Sequence, residues 1–342
     1  MDYEADTLWL PDVFGYAAAL PQIMAGCRIK YFVTSKINWN DTTRFPYETF
    51  IWRGIDGTGI KAHFLGSGGG YNGRINPREL NDNWNTIQHK EVQSAFVKSV
   101  GEGDGGGGTL RADLELVRRF TDLEGVPRTA WKKISSALGE IFSDDKEGTF
   151  PEWCGELYLE LHRGTYTTQS WTKRYNRLME FALRNVEFLH AYGETAGSEI
   201  GITNKEVKEL LLDYWKRVLT YQFHDIIPGS SITRVYNEAE ADYRVMLEKL
   251  TQISGEAKKR FAGFNTGCDS VAVFNDLSWE YTPIVKTDAQ ESVLPAALCD
   301  ESGTIYPLQP YTDIDGKKRA VYAVNVPSLG WAYYSAIKEK AV

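Results

Sequence analysis

The 342-residue sequence has few cysteines, and they are widely spaced. Cys27, Cys154, Cys268 and Cys299 include no pair with the CxxC spacing of a zinc knuckle. Four cysteines in a chain of this length also do not make a disulfide scaffold. These observations exclude a small disulfide-stabilised module and a cysteine-rich zinc module.

The sequence also lacks an excess of basic residues and a long apolar run. It has 38 Lys and Arg against 46 Asp and Glu, a net charge of −8, whereas a nucleic-acid surface needs clustered basic side chains. No run approaches eighteen apolar residues, and no basic-then-apolar signal segment opens the chain. We therefore expect a soluble, cytoplasmic protein without nucleic-acid or membrane partners.

The apolar patterns predict a multidomain protein with α/β, α and β parts. Over residues 1–165, short β-like runs alternate with helical stretches, which predicts a mainly parallel sheet and part of an α/β barrel. Over residues 166–262, apolar residues recur at spacings of three and four, which predicts a three-helix bundle with a capping box at Thr203 and Glu206. Residues 263–342 are β-rich and predict the start of a β-sandwich-like domain, truncated at its end.

Some local predictions within the first domain are specific. The runs TLWLP, KYFVTS, TFIWRGI, IKAHFL, FVKSV and ELYLELH are strand-like, and helices are expected over residues 77–98, 110–122 and 131–142. The chain begins in an apolar run and stops in a strand-like one. We interpret it as an internal fragment of a longer protein.

The first candidate site residue is Asp12, in the phrase WLPDVFGY. It follows the first strand, at the carboxyl edge of the predicted parallel sheet, where α/β barrels place catalytic groups. An N-cap of the following helix is an equally good interpretation of this segment alone.

The second candidate is Asp104, inside the glycine-rich run GEGDGGGGT. Glycines let a backbone approach a ligand closely. A phosphate cradle is the alternative, but it would normally end in GKS or GKT, and an aspartate inside the loop repels phosphate. A plain flexible turn is also consistent with four consecutive glycines.

The third candidate is the pair His224 and Asp225, in QFHDIIPGSS directly after a predicted helix. The histidine could bind a metal beside the carboxylate, and Pro-Gly imposes a turn that exposes both. A histidine at a helix end is more often a cap favoured by the helix dipole.

Together the phrases WLPDVFGY, GDGGGGT, GELYLELHRGTYT and QFHDIIPGSS resemble the α-mannosidases of glycoside hydrolase family 38, especially its bacterial and cytosolic or vacuolar branch. The resemblance extends to VFNDLSW and VPSLGW in the β-rich part. It implies an α/β barrel, a three-helix domain and large β domains, in the order already predicted. It also implies hydrolysis of terminal α-D-mannosides with retention of configuration, through a covalent mannosyl-aspartate.

The resemblance assigns the catalytic and metal-binding roles. Asp12 corresponds to the nucleophile, which also touches a zinc ion, and Asp104 corresponds to the general acid/base. His224 corresponds to a zinc-bound histidine. Retention requires the two carboxylates to lie roughly 5–5.5 Å apart. Asp104 must stay protonated longer than Asp12, which burial would favour.

The resemblance also assigns residues that contact the α-mannoside oligosaccharide. Asp225 would hold sugar hydroxyls, and Lys36 matches a basic position near the acid/base. Phe14, Tyr71 and His162 fall where the family lines its sugar pocket. We expect the catalytic aspartates and the His224–Asp225 pair to converge on one pocket.

The sequence departs from the family in two places. The HxDxAW motif, which carries the other zinc histidine and aspartate, is absent, so Asp12 and His224 are two of four expected ligands. We therefore expect this chain to hold Zn²⁺, or another divalent metal, poorly and to show little mannosidase activity. The glycine run ends in Thr109 where proline is usual.

Two other functions remain open from the sequence. A zinc hydrolase acting on amide or ester bonds would use a metal-bound water and one base, which leaves Asp104 without a role. A non-catalytic carbohydrate-binding or structural fragment would account for the missing ligands. Assembly into a homo-oligomer is left open.

Overall fold

The computed structural model describes residues 5–66, 70–144, 148–197, 203–263, 270–287 and 296–337. It divides into two compact units, Met1–Arg163 and Gly164–Val342, and each is described by itself. Within the described ranges, no helix is long and apolar enough to cross a lipid bilayer.

The described part of the first unit mixes short strands and helices. In chain order these are β1 (Thr7–Trp9), β2 (Gly15–Tyr16), α1 (Leu20–Gly26), β3 (Tyr31–Thr34), β4 (Thr49–Arg53), β5 (Gly59–Phe64), α2 (Pro77–Thr86), α3 (Arg111–Arg119), α4 (Ile134–Ile141), β6 (Glu152–Cys154) and β7 (Leu157–Tyr158). Short 3₁₀ helices cover Lys36–Trp39, Phe120–Asp122, Phe142–Asp144 and Arg163–Tyr166.

A five-stranded sheet in the order β1-β3-β5-β4-β6 organises this unit. The pairs β1–β3, β3–β5 and β4–β6 are parallel, as the sequence predicts, but β4 and β5 are antiparallel. The reason is the short connection over residues 54–58, where Gly57 has φ +86° and Gly54 N–H donates to the Thr58 carbonyl at 2.9 Å. Strands joined by so short a turn form a hairpin, because a parallel crossover needs a dozen or more residues.

The sheet buries apolar side chains on both faces. Phe32 and Trp52 pack with Met24 of α1, whereas Val33 packs with Leu138 and Ile141 of α4. Successive residues of a strand point to opposite faces, so Phe32 and Val33 belong to different clusters. The two cores leave the strand ends, rather than the sheet faces, free to carry polar side chains.

Two local predictions in this unit are wrong, and a third is confirmed only in part. The helix expected over residues 77–98 ends at Thr86, because the buried Glu48 accepts the Gln88 N–H at 3.0 Å and draws the chain away from the helix. The run FVKSV forms no strand, because the Val97 N–H donates to His63 Nε2 at 3.2 Å instead of to a neighbouring strand. ELYLELH is a strand only over Leu157–Tyr158.

The second unit begins with long helices and continues with strands. The described elements are α5 (Ser170–Ala196), α6 (Asn204–Tyr221), α7 (Thr233–Phe261), β8 (Ser270–Asn275), β9 (Ile284–Thr287), β10 (Ala297–Cys299), β11 (Ile305–Pro307), β12 (Gln309–Thr312), β13 (Lys318–Ala323) and β14 (Gly330–Ile337).

The three long helices lie where the apolar spacing predicts helices. α5 packs against both α6 and α7, and Leu183, Val207 and Met246 lie in their common core. The predicted capping box at the start of α6 is confirmed. The Glu206 N–H donates to Thr203 Oγ1 at 3.3 Å, and the Glu206 carboxylate accepts the Thr203 N–H at 2.9 Å.

The strands that follow form antiparallel sheets. One has the order β11-β10-β14-β8 and the other the order β12-β13-β9. Leu298, Tyr322 and Tyr334 are buried in their shared cluster. The β-rich character expected after residue 263 is therefore present, while its assignment to a sandwich stays a prediction. Cys268 lies outside the described residues.

Candidate active site

Asp12 and Lys36 meet at the carboxyl edge of the sheet. Asp12 follows β1 and Lys36 follows β3, and the two strands are parallel neighbours. The Lys36 Nζ lies 2.9 Å from Asp12 Oδ1. The lysine side chain is only 5% exposed while the aspartate is 48% exposed, so a buried cation presents an accessible carboxylate.

Aromatic rings surround the Lys36 ammonium. Its Nζ lies 3.2 Å from the ring centre of Trp39, 5.3 Å from that of Tyr71 and 5.5 Å from that of Phe14. Lys36 and Trp39 are the first and last residues of a 3₁₀ helix, where residues three apart share a face. The Phe14 ring in turn packs on His162, with centroids 4.9 Å apart. Cation–π attraction and burial therefore fix the ammonium beside Asp12.

Tyr71 joins this cluster to Asp104. Its hydroxyl donates to Asp104 Oδ1 at 3.2 Å. The pKa of Tyr71 is raised to about 12, first by burial and then by the negative charges of Asp12 and Asp104. One phenol therefore adjoins both predicted catalytic carboxylates.

The glycine run forms a tight loop with Asp104 at its tip. The backbones of Glu102 and Gly107 exchange hydrogen bonds of 2.7 and 2.8 Å. A Cβ on Gly103 would lie 2.7 Å from the Tyr71 ring, so only glycine allows that ring to pack on the loop. The Asp104 side chain is exposed in the described structure. The burial that we expect for a general acid is therefore not found at this residue. The loop does not end a strand, contrary to the prediction from FVKSV.

An ion-pair network holds the base of this loop. Arg74 pairs with Glu102 and, at 3.2 Å, with Asp113. The buried Asp113 carboxylate also accepts the backbone N–H groups of Ile75 and Leu110 at 3.2 and 3.0 Å. Desolvation raises the pKa of Asp113, but these hydrogen bonds and Arg74 together leave it lowered. The loop is thus fixed to the helix α3 that follows it.

His224 and Asp225 lie in the second unit, in the turn after α6. His224 Nε2 is 3.5 Å from Asp225 Oδ2, and the two side chains are 79% and 60% exposed. Tyr236 donates its hydroxyl to the Ile226 carbonyl at 3.1 Å, and Lys173 donates to the Ile227 carbonyl at 2.7 Å. The turn is therefore anchored to α5 and α7 while both site residues stay accessible.

The structure brings most of the predicted site together within the first unit. Side chains in successive contact there are Asp12, Phe14, Lys36, Tyr71, Asp104 and His162. His224 and Asp225 adjoin each other in the second unit, and their convergence with the aspartates stays a prediction.

The side chains described here do not by themselves fit a resident metal ion. They include no group of three or more His, Cys, Asp or Glu that could hold one. The Asp12 carboxylate is instead ion-paired with Lys36. A metal at Asp12 would need further donors.

The sequence does not predict Trp39 as a site residue, although its ring is the one nearest to the Lys36 ammonium. A spacing of three residues places Trp39 on the same face as Lys36 only if the segment is a 3₁₀ helix. The sequence KINW has no feature that requires such a helix.

Comparison with known families accounts for most of the chain. Residues 1–156 match the glycosyl hydrolases family 38 N-terminal domain, and residues 160–261 match the alpha mannosidase middle domain. This chain belongs to glycoside hydrolase family 38. The family resemblance predicted from the four phrases is thereby confirmed.

Several alpha-mannosidases are similar to this chain in sequence. It is 35% identical to human alpha-mannosidase 2C1 over 274 residues, which is 80% of this chain and 26% of that protein. It is 34% identical to an alpha-mannosidase of Saccharomyces cerevisiae over 239 residues, 67% of this chain and 21% of that protein. The chain thus spans about a quarter of the length of these relatives.

Solved structures share the fold. An alpha-mannosidase from Enterococcus faecalis superposes with a TM-score of 0.57 at 15% identity, over 98% of this chain and 42% of that one. A protein in the glycosyl hydrolase family 38 from the same organism gives a TM-score of 0.51 at 14% identity, over 98% of this chain and 41% of that one.

Proposed function

We propose that this chain carries the nucleophile and the general acid/base of a retaining α-mannosidase. Asp12 is the nucleophile and Asp104 is the acid/base. The observation that carries the proposal is the run of contacts that leads from Asp12 through Lys36 and Tyr71 to Asp104. The names of the sequence relatives support mannosides as substrates.

The proposal of retention rests on the accessible carboxylate of Asp12. Retaining glycosidases place their two carboxylates about 5–5.5 Å apart and use one of them as a nucleophile, whereas inverting enzymes need about 6.5–9.5 Å to admit a water molecule. The Asp12 carboxylate is 48% exposed and is held by its ion pair with Lys36, so it is accessible for direct attack on a substrate.

The two steps use the same pair of side chains. Asp12 attacks the anomeric carbon while the glycosidic bond breaks, and Asp104 gives its proton to the departing oxygen. Asp104 then takes a proton from water, the water oxygen attacks the anomeric carbon, and Asp12 is released. Lys36 holds the Asp12 carboxylate through the 2.9 Å ion pair. Phe14 and His162 supply ring surfaces beside it.

We further propose that a zinc ion, held with donors beyond those described here, would supply Lewis acidity toward sugar hydroxyls; Asp12 and His224 would be among its ligands, and Asp225 would be a hydroxyl contact. Two protein ligands rarely hold zinc against water and buffer. The expected result is that this chain, after dialysis, contains far less than one zinc per molecule by elemental analysis. Stoichiometric zinc would contradict it. A cytoplasmic location is likewise proposed.

The test of the proposal is hydrolysis of an aryl α-mannoside with a good leaving group. The chain alone should turn over near the background rate, and addition of a family 38 segment that carries HxDxAW should restore activity. In the restored preparation, Asp12→Ala should abolish turnover. Asp104→Ala should lose much less, because such a leaving group needs no proton. Asp56→Ala, an exposed carboxylate of the β4–β5 hairpin, is the matched control.

Two outcomes would overturn the proposal. If Asp12→Ala keeps turnover, Asp12 is not the nucleophile. If the restored preparation hydrolyses amides or esters but no mannoside, a zinc hydrolase is the better account.

A further inference from the structure

A polar cavity lies on the other side of the turn that carries Lys36. It has a volume of about 650 Å³, within the range of small-molecule sites. Its walls are the segment over residues 37–48 and the carboxyl-terminal half of α2. In the 3₁₀ helix Lys36–Trp39, Lys36 pairs with Asp12 and the Trp39 ring packs on the Lys36 ammonium, while Ile37 and Asn38 line the cavity. A single turn of backbone therefore separates the cavity from the candidate active site.

The side chains that line the cavity indicate the class of ligand that it binds. Amide and hydroxyl side chains dominate it: Asn38, Asn40, Thr42, Thr43, Asn85 and Thr86. The charged side chains are one cation, Arg44, and two anions, Glu48 and Asp82, so the wall does not favour a phosphate or carboxylate. Such a wall matches a neutral ligand with many hydroxyl groups, because amides and hydroxyls both donate and accept hydrogen bonds.

Two of these side chains are oriented by hydrogen bonds that involve only one of their polar atoms. Asn38 donates its amide nitrogen to the Leu65 carbonyl at 2.8 Å, which leaves its oxygen as an acceptor. Asn40 accepts the Glu160 N–H at 2.8 Å through its oxygen, which leaves its nitrogen as a donor. Oriented groups of this kind bind a ligand without a further loss of side-chain freedom.

The cavity wall is also attached to the active-site cluster. The Glu160 carboxylate accepts the N–H groups of Thr42 and Thr43 at 3.0 and 2.6 Å. A hydrogen bond from the Thr43 side chain, together with these two backbone bonds, lowers the pKa of Glu160. Two residues later, His162 packs on Phe14. The same short segment thus supports both sites.

We propose that this cavity is a second sugar subsite, which binds a neighbouring ring of the oligosaccharide whose terminal mannoside sits at Asp12. The proposal rests on the function proposed above. The half-exposed indole of Trp39, placed at the end of the separating turn, would provide the surface over which the chain of sugars passes.

The test compares dissociation constants of the whole 342-residue chain for methyl α-D-mannoside and for an α-linked mannotriose, measured by NMR titration. The double variant Asn85→Ala with Thr42→Val removes two polar groups from the cavity. We expect mannotriose to bind about tenfold more weakly to it, as one or two lost hydrogen bonds imply. The affinity for methyl mannoside should not change. A matched double variant in the second unit, Asn237→Ala with Thr220→Val, should leave both constants unchanged.

Two results would overturn the subsite. One is a wild-type chain that binds mannotriose no more tightly than methyl mannoside. The other is a cavity variant that leaves mannotriose affinity unchanged or weakens both ligands equally. Failure of the proposed function has a different signature, which is turnover retained by Asp12→Ala in the restored preparation while the chain keeps its preference for mannotriose.

Discussion

The buried histidine of β5 should make the first unit sensitive to mild acid. His63 is 1% exposed, its Nδ1 lies 2.8 Å from Thr49 Oγ1, and its Nε2 accepts the Val97 N–H at 3.2 Å. Because Nε2 is an acceptor, the ring is neutral and Nδ1 donates to the threonine. Burial lowers the pKa of His63 from 6.5 to about 4.

The sign and size of the effect follow from proton binding. The unfolded chain takes up a proton near pH 6.5, whereas the folded chain resists it until about pH 4. Stability is therefore fully present above pH 6.5 and is lost as the pH falls through this window. At about 1.4 kcal/mol per pH unit, the loss between pH 7.5 and 4.5 is about 2–3 kcal/mol. Carboxylates with lowered pKa values, such as Glu79 and Asp113, stabilise the folded state across this window. Their contribution to stability is lost mainly below pH 4.5.

The assay is urea unfolding at several pH values, with the transition of the first unit assigned by hydrogen exchange over residues 49–64. His63→Gln retains a donor for Thr49 and an acceptor for Val97 but cannot titrate, so the loss over this window should disappear. His89→Gln replaces a more exposed histidine paired with Glu91 and should keep the loss. The same acid dependence in His63→Gln, or an imidazole pKa near 6.5 by NMR, would refute the reasoning.

Two further substitutions test local packing. Gly103→Ala should destabilise the first unit by about 1–3 kcal/mol, since its Cβ would lie 2.7 Å from the Tyr71 ring. Gly105→Ala, with its nearest contact at 3.5 Å, should cost less in urea unfolding. Equal losses would contradict this. Thr203→Ala should cost about 1 kcal/mol in the helical transition followed by circular dichroism, and Thr203→Ser should restore most of it, because either hydroxyl can accept the Glu206 N–H. An unchanged transition in Thr203→Ala would show that the cap contributes nothing.

The sequence predicts the long helices well because their signal is local. Apolar residues at spacings of three and four fix one buried face, and the cap of α6 needs only Thr203 and Glu206. FVKSV has the composition of a strand, yet its partner is a histidine ring thirty-four residues away. No pattern within five residues can specify that contact, so the strand prediction was wrong.

In the candidate site, too, some features could be predicted from the sequence and others depend on tertiary packing. Asp12 and Asp104 were found through a resemblance, while their charge environment came only from the structure. The 3.2 Å contact of Trp39 with Lys36 and the burial of His63 depend on tertiary packing. An isolated histidine in the strand GIKAHF gives no indication of a perturbed pKa.

The most direct test of the central claim is to trap the intermediate. The chain, restored with the HxDxAW segment, is incubated with a fluorinated mannosyl fluoride, whose glycosyl-enzyme intermediate hydrolyses slowly. Peptide mass spectrometry then locates the sugar. The account predicts one mannosyl group on the peptide containing Asp12, absent in Asp12→Ala and present in Asp104→Ala. A sugar on another residue, or turnover to the inverted anomer with no trapped species, would contradict it.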